Sequence, residues 1–118
     1  MAIHTELEIH KAAYDLFDVV VDLVKGMPRD FKALIGAELR KECIAVLVLI
    51  FRANCAKEKE TYLLSVVERV QVSELMLRLA RDKRMISPGQ YGAAIKLTNS
   101  IGRQANGWRK KSATSSAS

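Results

Sequence analysis

Few residues in this 118-residue chain could carry out a reaction, and their spacing argues against a reaction centre. His4 and His10 are the only histidines; they fall in and just before the first turns of the first predicted helix, with no Glu-x-x-His pair of the kind that ligates a di-iron bundle. Cys43 and Cys55 lie on one predicted helix, about 18 Å apart along its axis, too far to bridge each other within a chain. Cys43 is also embedded in an apolar run, where a thiol is expected to be inert. No Cys-x-x-Cys spacing, Gly-rich phosphate loop or Walker sequence occurs, and Tyr14, Tyr62 and Tyr91 lack a partner pattern. No catalytic residue, metal ligand or cofactor is therefore expected, and the chain reads as a non-enzyme.

What remains is charge, and it is unevenly spread. The net charge is +6. Residues 1–26 set Lys11 and Lys25 against Glu6, Glu8, Asp15, Asp18 and Asp22, a net of −3. From Arg69 onward ten basic residues (Arg69, Arg78, Arg81, Lys83, Arg84, Lys96, Arg103, Arg109, Lys110, Lys111) face only Glu74 and Asp82, a net of +8. Such a field attracts a polyanion or an acidic protein surface. Cations in the last turn of a helix also complement its dipole, but five between Arg69 and Arg84 exceed what one terminus needs.

The elements that must position these cations are helices. Between Arg40 and Arg52 the chain reads RKECIAVLVLIFR, nine consecutive apolar residues closed by charge at both ends. At helical spacing Ile35, Leu39, Cys43, Val46 and Ile50 form one stripe, and Leu47, Phe51 and Asn54 a second beside it, so this helix belongs at the centre of an assembly. The apolar run falls well short of the ~20 residues a membrane span needs. Thr5-Glu6-Leu7-Glu8 matches a capping box that opens helix 1, whose stripe is Ile9, Ala13, Phe17, Val20, Leu23 and Val24, stopped by Gly26 and Pro28. Helix 2 follows from Phe31 or Lys32 to Cys55, with Gly36 in its first turns. After the polar break NCAKEK, Leu63, Val67, Val70, Leu77 and Ala80, flanked by Leu64, Val66, Leu75 and Leu79, mark helix 3; Glu68, Arg69, Gln71 and Glu74 take its solvated face. Ser87-Pro88-Gly89-Gln90 opens helix 4, which runs Tyr91, Ala94, Ile95, Thr98, Ile101, Gly102, Ala105, Trp108.

One domain is expected, all-α, an up-down-up-down antiparallel four-helix bundle over residues 1–111 with a disordered polar tail, SATSSAS, at 112–118. This topology gathers Arg78, Arg81, Lys83 and Arg84 at one end with Lys25, Arg29 and Lys32, and places Arg109, Lys110 and Lys111 at the other, near Lys57 and Lys59. The opening MAIHTELEIHK has neither a basic n-region nor an apolar h-region, so no signal peptide is expected; with unpaired cysteines, a reducing cytoplasm is the expected setting. Helix 2 is apolar over more of its circumference than two neighbours would cover, so part of that surface should be buried between subunits.

The punctuation between the helices is distinctive: MPRDF before helix 2, FRAN at its end, LRLARDKRMISPGQY across the third connection and IGRQANGW in helix 4. In that order and spacing the chain resembles the accessory variability determinant family of diversity-generating retroelements, from about Leu7 to Lys110. It departs from the family pattern at Ala105-Asn106, where a Leu-Gly pair is expected. The resemblance implies a four-helix protomer assembled as a homopentameric barrel. It also implies a non-enzymatic accessory role: binding the element's reverse transcriptase and nucleic acid, RNA or DNA, through basic surfaces while a template RNA is copied mutagenically. By motif position the family's basic residues map onto Arg40, Lys41, Arg78, Arg81 and Arg84, and Lys83, Arg103, Arg109 and Lys110 complete the candidate binding set. Contacts would be mainly to phosphates and sequence-tolerant, since no base-reading helix is present. The alternative is a self-assembling scaffold of the type encoded in intervening sequences of 23S ribosomal RNA genes, from the same superfamily, with no polymerase partner.

Overall fold

The computed structural model describes the backbone of residues 4–117 and the side chains of residues 8–114. Four long helices make up nearly all of it, and no strand occurs among the described residues. α1 spans His4–Lys25. α2 is composite: a turn at Arg29–Phe31, a π-helical turn at Lys32–Gly36 and a long segment at Ala37–Cys55 follow one another without a gap. α3 spans Glu60–Asp82 and α4 Pro88–Ala117. Each helix packs along the one before it, and α4 returns against α1. Three α3–α4 side-chain pairs, Glu60 with Arg109, Glu74 with Thr98 and Arg81 with Tyr91, advance on one helix as they retreat on the other, as antiparallel neighbours must. The body is 52 × 21 × 19 Å, a single bundle of helices.

The core follows most of the stripes the sequence marks, but on α1 Leu16 is buried where the stripe placed Phe17, which is only half-buried. Ile9, Leu16, Val20, Leu23, Leu39, Val46, Ile50, Leu63, Val66, Leu77 and Ile101 are almost wholly removed from water. Burying a Val, Leu or Ile side chain in this way contributes about 1.5–3 kcal/mol each before chain entropy is charged against it. The second stripe on α2 and the flanking leucines on α3 behave differently: Phe51 is 65% exposed and Leu75 53%, while Val66, placed with that flank in the sequence, is fully buried.

Helix boundaries follow local chemistry. Ser87 Oγ accepts from the Gln90 amide at 3.0 Å, and Gln90 Oε1 accepts from the Ser87 amide at 2.8 Å, a complete capping box ahead of α4. α2 begins at Arg29 rather than Phe31, because Pro28 already holds φ −55° and ψ 148° and its carbonyl accepts from the Lys32 amide. α1 already includes His4, so Thr5 sits inside its first turn instead of ahead of it; the side chains of the expected box, before Glu8, lie outside the described residues. α3 closes with the Met85 amide on the Ala80 carbonyl and the Arg84 amide on that of Arg81, a Schellman arrangement. Its left-handed position, φ 59°, is taken by Arg84 where glycine would be unstrained.

Gly36 has a steric reason to be glycine. A Cβ there would stand 2.7 Å from Val24 Cγ1 and 3.6 Å from Met27 Sδ, so its absence lets α2 lie against the end of α1. The π-turn Lys32–Gly36 lies at this approach. Two of the residues assigned to a solvated face of α3 are instead tied to neighbours. Arg69 donates to Glu42 at 3.2 Å, and Glu74 accepts from the buried Thr98 hydroxyl at 2.7 Å. Both sit at the edges of the face, within reach of the adjacent helix. At the other extreme, α4 continues through the expected tail as far as Ala117: no Gly or Pro follows Gly107, and Thr114 Oγ1 folds back onto the Lys110 carbonyl.

Candidate nucleic-acid interface

The cations singled out in the sequence divide into braces and free charges. Arg81 is half-buried, its guanidinium 4.3 Å from the Tyr91 ring and its Nε 3.1 Å from Asp82, so it clamps the end of α3 to the start of α4. It is not the freely exposed residue that the sequence suggests. Arg109, 27% exposed at its side chain, donates to Glu60 at 3.2 Å and to Asn106 at 3.4 Å. Lys59 donates to the Ala53 and Ala56 carbonyls at 2.8 and 2.7 Å and lies 5.8 Å from the Trp108 ring, closing the C-terminus of α2 against α4. Lys41 is exposed and pairs loosely with Glu38 at 3.5 Å.

Arg40, Arg78, Lys83, Arg84, Arg103 and Lys110 are exposed, and none has an acidic partner within 4.0 Å among the described residues. They occupy different parts of the surface. Lys83 and Arg84 stand at the end of the bundle where α3 hands over to α4. Val19, Asp22 and Leu23 of α1 share a shallow cleft there with Ser87, Gly89, Gln90 and Ala93, so Arg29 and Lys32, which follow α1, lie at that end too. Arg40 lies on α2 beside the exposed apolar series Ile44, Val48 and Phe51. Arg78 is one turn before Arg81 and between the exposed Leu75 and Leu79. Arg103 and Lys110 are on α4, whose outer face also carries Lys96. Lys96 entered the sequence reading only as a charge; the signal that could have placed it is its spacing, seven residues before Arg103 and fourteen before Lys110.

No group of three or more His, Cys, Asp or Glu side chains among the described residues could hold a metal ion. Both cysteines are free; Cys55 is exposed, and burial, with a smaller push from Glu42, raises the Cys43 thiol to about 12. No described helix is long and apolar enough to cross a membrane.

No curated protein and no solved structure matches the chain. A family model described as bAvd-like matches residues 7–112, nearly the whole bundle and all four of the motifs that carry the resemblance. The chain belongs to the bAvd-like family and is an accessory protein of the bAvd type, one of the accessory variability determinants.

Proposed function

We propose that this protein serves a diversity-generating retroelement by binding its reverse transcriptase and the nucleic acid being copied, through basic surfaces and without catalysing a reaction itself. The observation that carries this reading is the set of exposed cations without acidic partners, Arg40, Arg78, Lys83, Arg84, Arg103 and Lys110, on a chain of the bAvd-like family. Among the described residues, folding gives them no acidic partner within 4.0 Å. Arg84 adds weight: a left-handed residue that is not glycine costs about 1–2 kcal/mol, and a guanidinium retained at that cost is better explained by an external contact than by the turn. Contacts of this kind fall on phosphates and are tolerant of sequence.

Assembly belongs to the same proposal. Ile44, Val48 and Phe51 line one face of α2, and Val72, Leu75 and Leu79 line one face of α3, all exposed on the protomer. A closed ring of identical contacts would cover them without leaving an open edge, and would repeat every basic surface around an axis. Five copies is the number the family resemblance implies. The test of the functional reading is a pulldown with a reverse transcriptase of a diversity-generating retroelement from the same genome, together with anisotropy of labelled RNA between 50 and 200 mM salt. Co-elution and a steep loss of affinity with salt support it. No co-elution, or binding indifferent to salt, refutes it.

A further inference from the structure

The outer face of α4 differs from every other surface of the bundle. Lys96, Asn99, Arg103, Asn106 and Lys110 follow one another at three- and four-residue intervals and share one face, with the three cations spaced about 10.5 Å apart. Lys96, Asn99, Arg103 and Lys110 are exposed, and Asn106 is half-buried beside Arg109. No large hydrophobic residue is exposed on this helix. No acidic residue follows Asp82 anywhere in the chain, so the face holds no carboxylate of its own. Several acids on the adjoining helices are engaged, Glu60 by Arg109, Glu74 by Thr98, Asp15 by Lys11 at 3.1 Å and Asp22 by Lys25 at 3.9 Å, which leaves Asp18 of α1 and Glu68 of α3 as the exposed carboxylates nearest in chain order without such a contact among the described residues. Gly92 and Gly107 are exposed within or beside the stripe and have open space where a side chain would be, so a ligand can approach the helix backbone there.

A partner protein would find little apolar area on this face, whereas a phosphodiester backbone would find cations, amide donors and close access. We infer that the outer face of α4, through Lys96, Arg103 and Lys110 with Asn99 and Asn106 between them, is the track for the phosphate backbone of a nucleic acid lying along the helix. This rests on the nucleic-acid-binding reading above and narrows it to one surface. The cations neutralise phosphates, the amides donate to phosphate or sugar oxygens, and neither selects a base.

The test compares two charge-matched variants of the full chain. In one, Lys96, Arg103 and Lys110 become Gln; in the other, Arg29, Arg52 and Lys57, exposed cations outside the proposed binding set, become Gln. All six positions are exposed, and helicity and mass in solution are checked for both. Binding to a labelled single-stranded RNA is measured by anisotropy from 50 to 200 mM salt. If three phosphate contacts sit on α4, its variant loses about 2 from the log–log salt slope, so that about 20-fold of the parent's affinity loss across this range disappears. The charge-matched control keeps most of the parent's slope. Equal losses in both variants, or loss confined to the control, overturn the α4 assignment while leaving nucleic-acid binding intact. A parent that shows no RNA binding refutes both, and a parent that binds polyglutamate as tightly as RNA overturns the phosphate track.

Discussion

The outer faces of α2 and α4 lie on one small bundle yet are built for different company. On α2, Ile44, Val48 and Phe51 stand in water beside Arg40 and Lys41, while on α4 the corresponding outward positions hold Lys96, Asn99, Arg103 and Lys110. A mixed apolar and basic face can be covered by protein, because burying Phe51 repays the loss of water around its neighbours. A wholly polar basic face gains little from that and more from counterion release on a polyanion. Net charge alone hides this distinction; the sorting appears only when each cation is placed beside what surrounds it.

The largest effect that would break the comparison is on assembly. Phe51→Asp combined with Leu75→Asp is expected to abolish self-association in sedimentation equilibrium, while helicity is kept. Both side chains are more than half exposed, so each substitution should alter protomer stability by no more than about 0.5 kcal/mol. An unchanged mass would show that the apolar faces of α2 and α3 are not the contact.

Next in size are two glycines that occupy opposite situations. Gly36→Ala forces a Cβ against Val24, an overpacking that costs about 1–3 kcal/mol and outweighs the helix-propensity gain of up to about 1 kcal/mol. Gly107→Ala meets nothing within 4 Å and should stabilise α4 by about 0.5–1 kcal/mol. Urea midpoints of the two variants should move in opposite directions. A similar sign for both would contradict the close approach of α2 to α1.

Arg84→Gly sharpens the comparison from the other side. Relief of the left-handed backbone should raise stability by about 1 kcal/mol, and loss of the guanidinium should weaken binding of nucleic acid or polymerase. A stabilised variant that binds as the parent does would make Arg84 merely tolerated.

The smallest effects concern the thiols, of which Cys43 is buried and Cys55 exposed on α2. Cys43 should stay unlabelled by a thiol reagent in the native protein, whereas Cys55, which continues the exposed series after Phe51, should react, and under the proposed assembly more slowly as protein concentration rises. Because folding raises the Cys43 pKa from 9.0 to about 12, the folded state favours the protonated thiol. That contribution is fully present below about pH 9 and is lost as pH rises toward 12. Cys43→Val should therefore flatten the alkaline fall in stability between these values.

Much of the fold is legible in the sequence because its signals are local and agree with one another. The Ser87–Gln90 box, the stop at Gly26 and Pro28, and the stripe from Ile9 to Val24 each specify structure within a few residues. What could not be read needs a second helix. Arg81 and Arg109 look like surface cations until Tyr91 and Glu60 are placed beside them, and Arg69 looks solvated until Glu42 faces it. The outer face of α4 was legible in principle, through the heptad spacing of Lys96, Arg103 and Lys110. It was obscured because the stripe of apolar and small residues on the same helix invites attention to packing.

The proposed division of labour between the faces is tested most directly by lysine footprinting of the protein with and without RNA, read by mass spectrometry. Protection is expected at Lys96 and Lys110 on α4, with Lys41 and Lys83 labelled equally in both states. Protection at Lys41 and Lys83 with α4 left open would contradict the account.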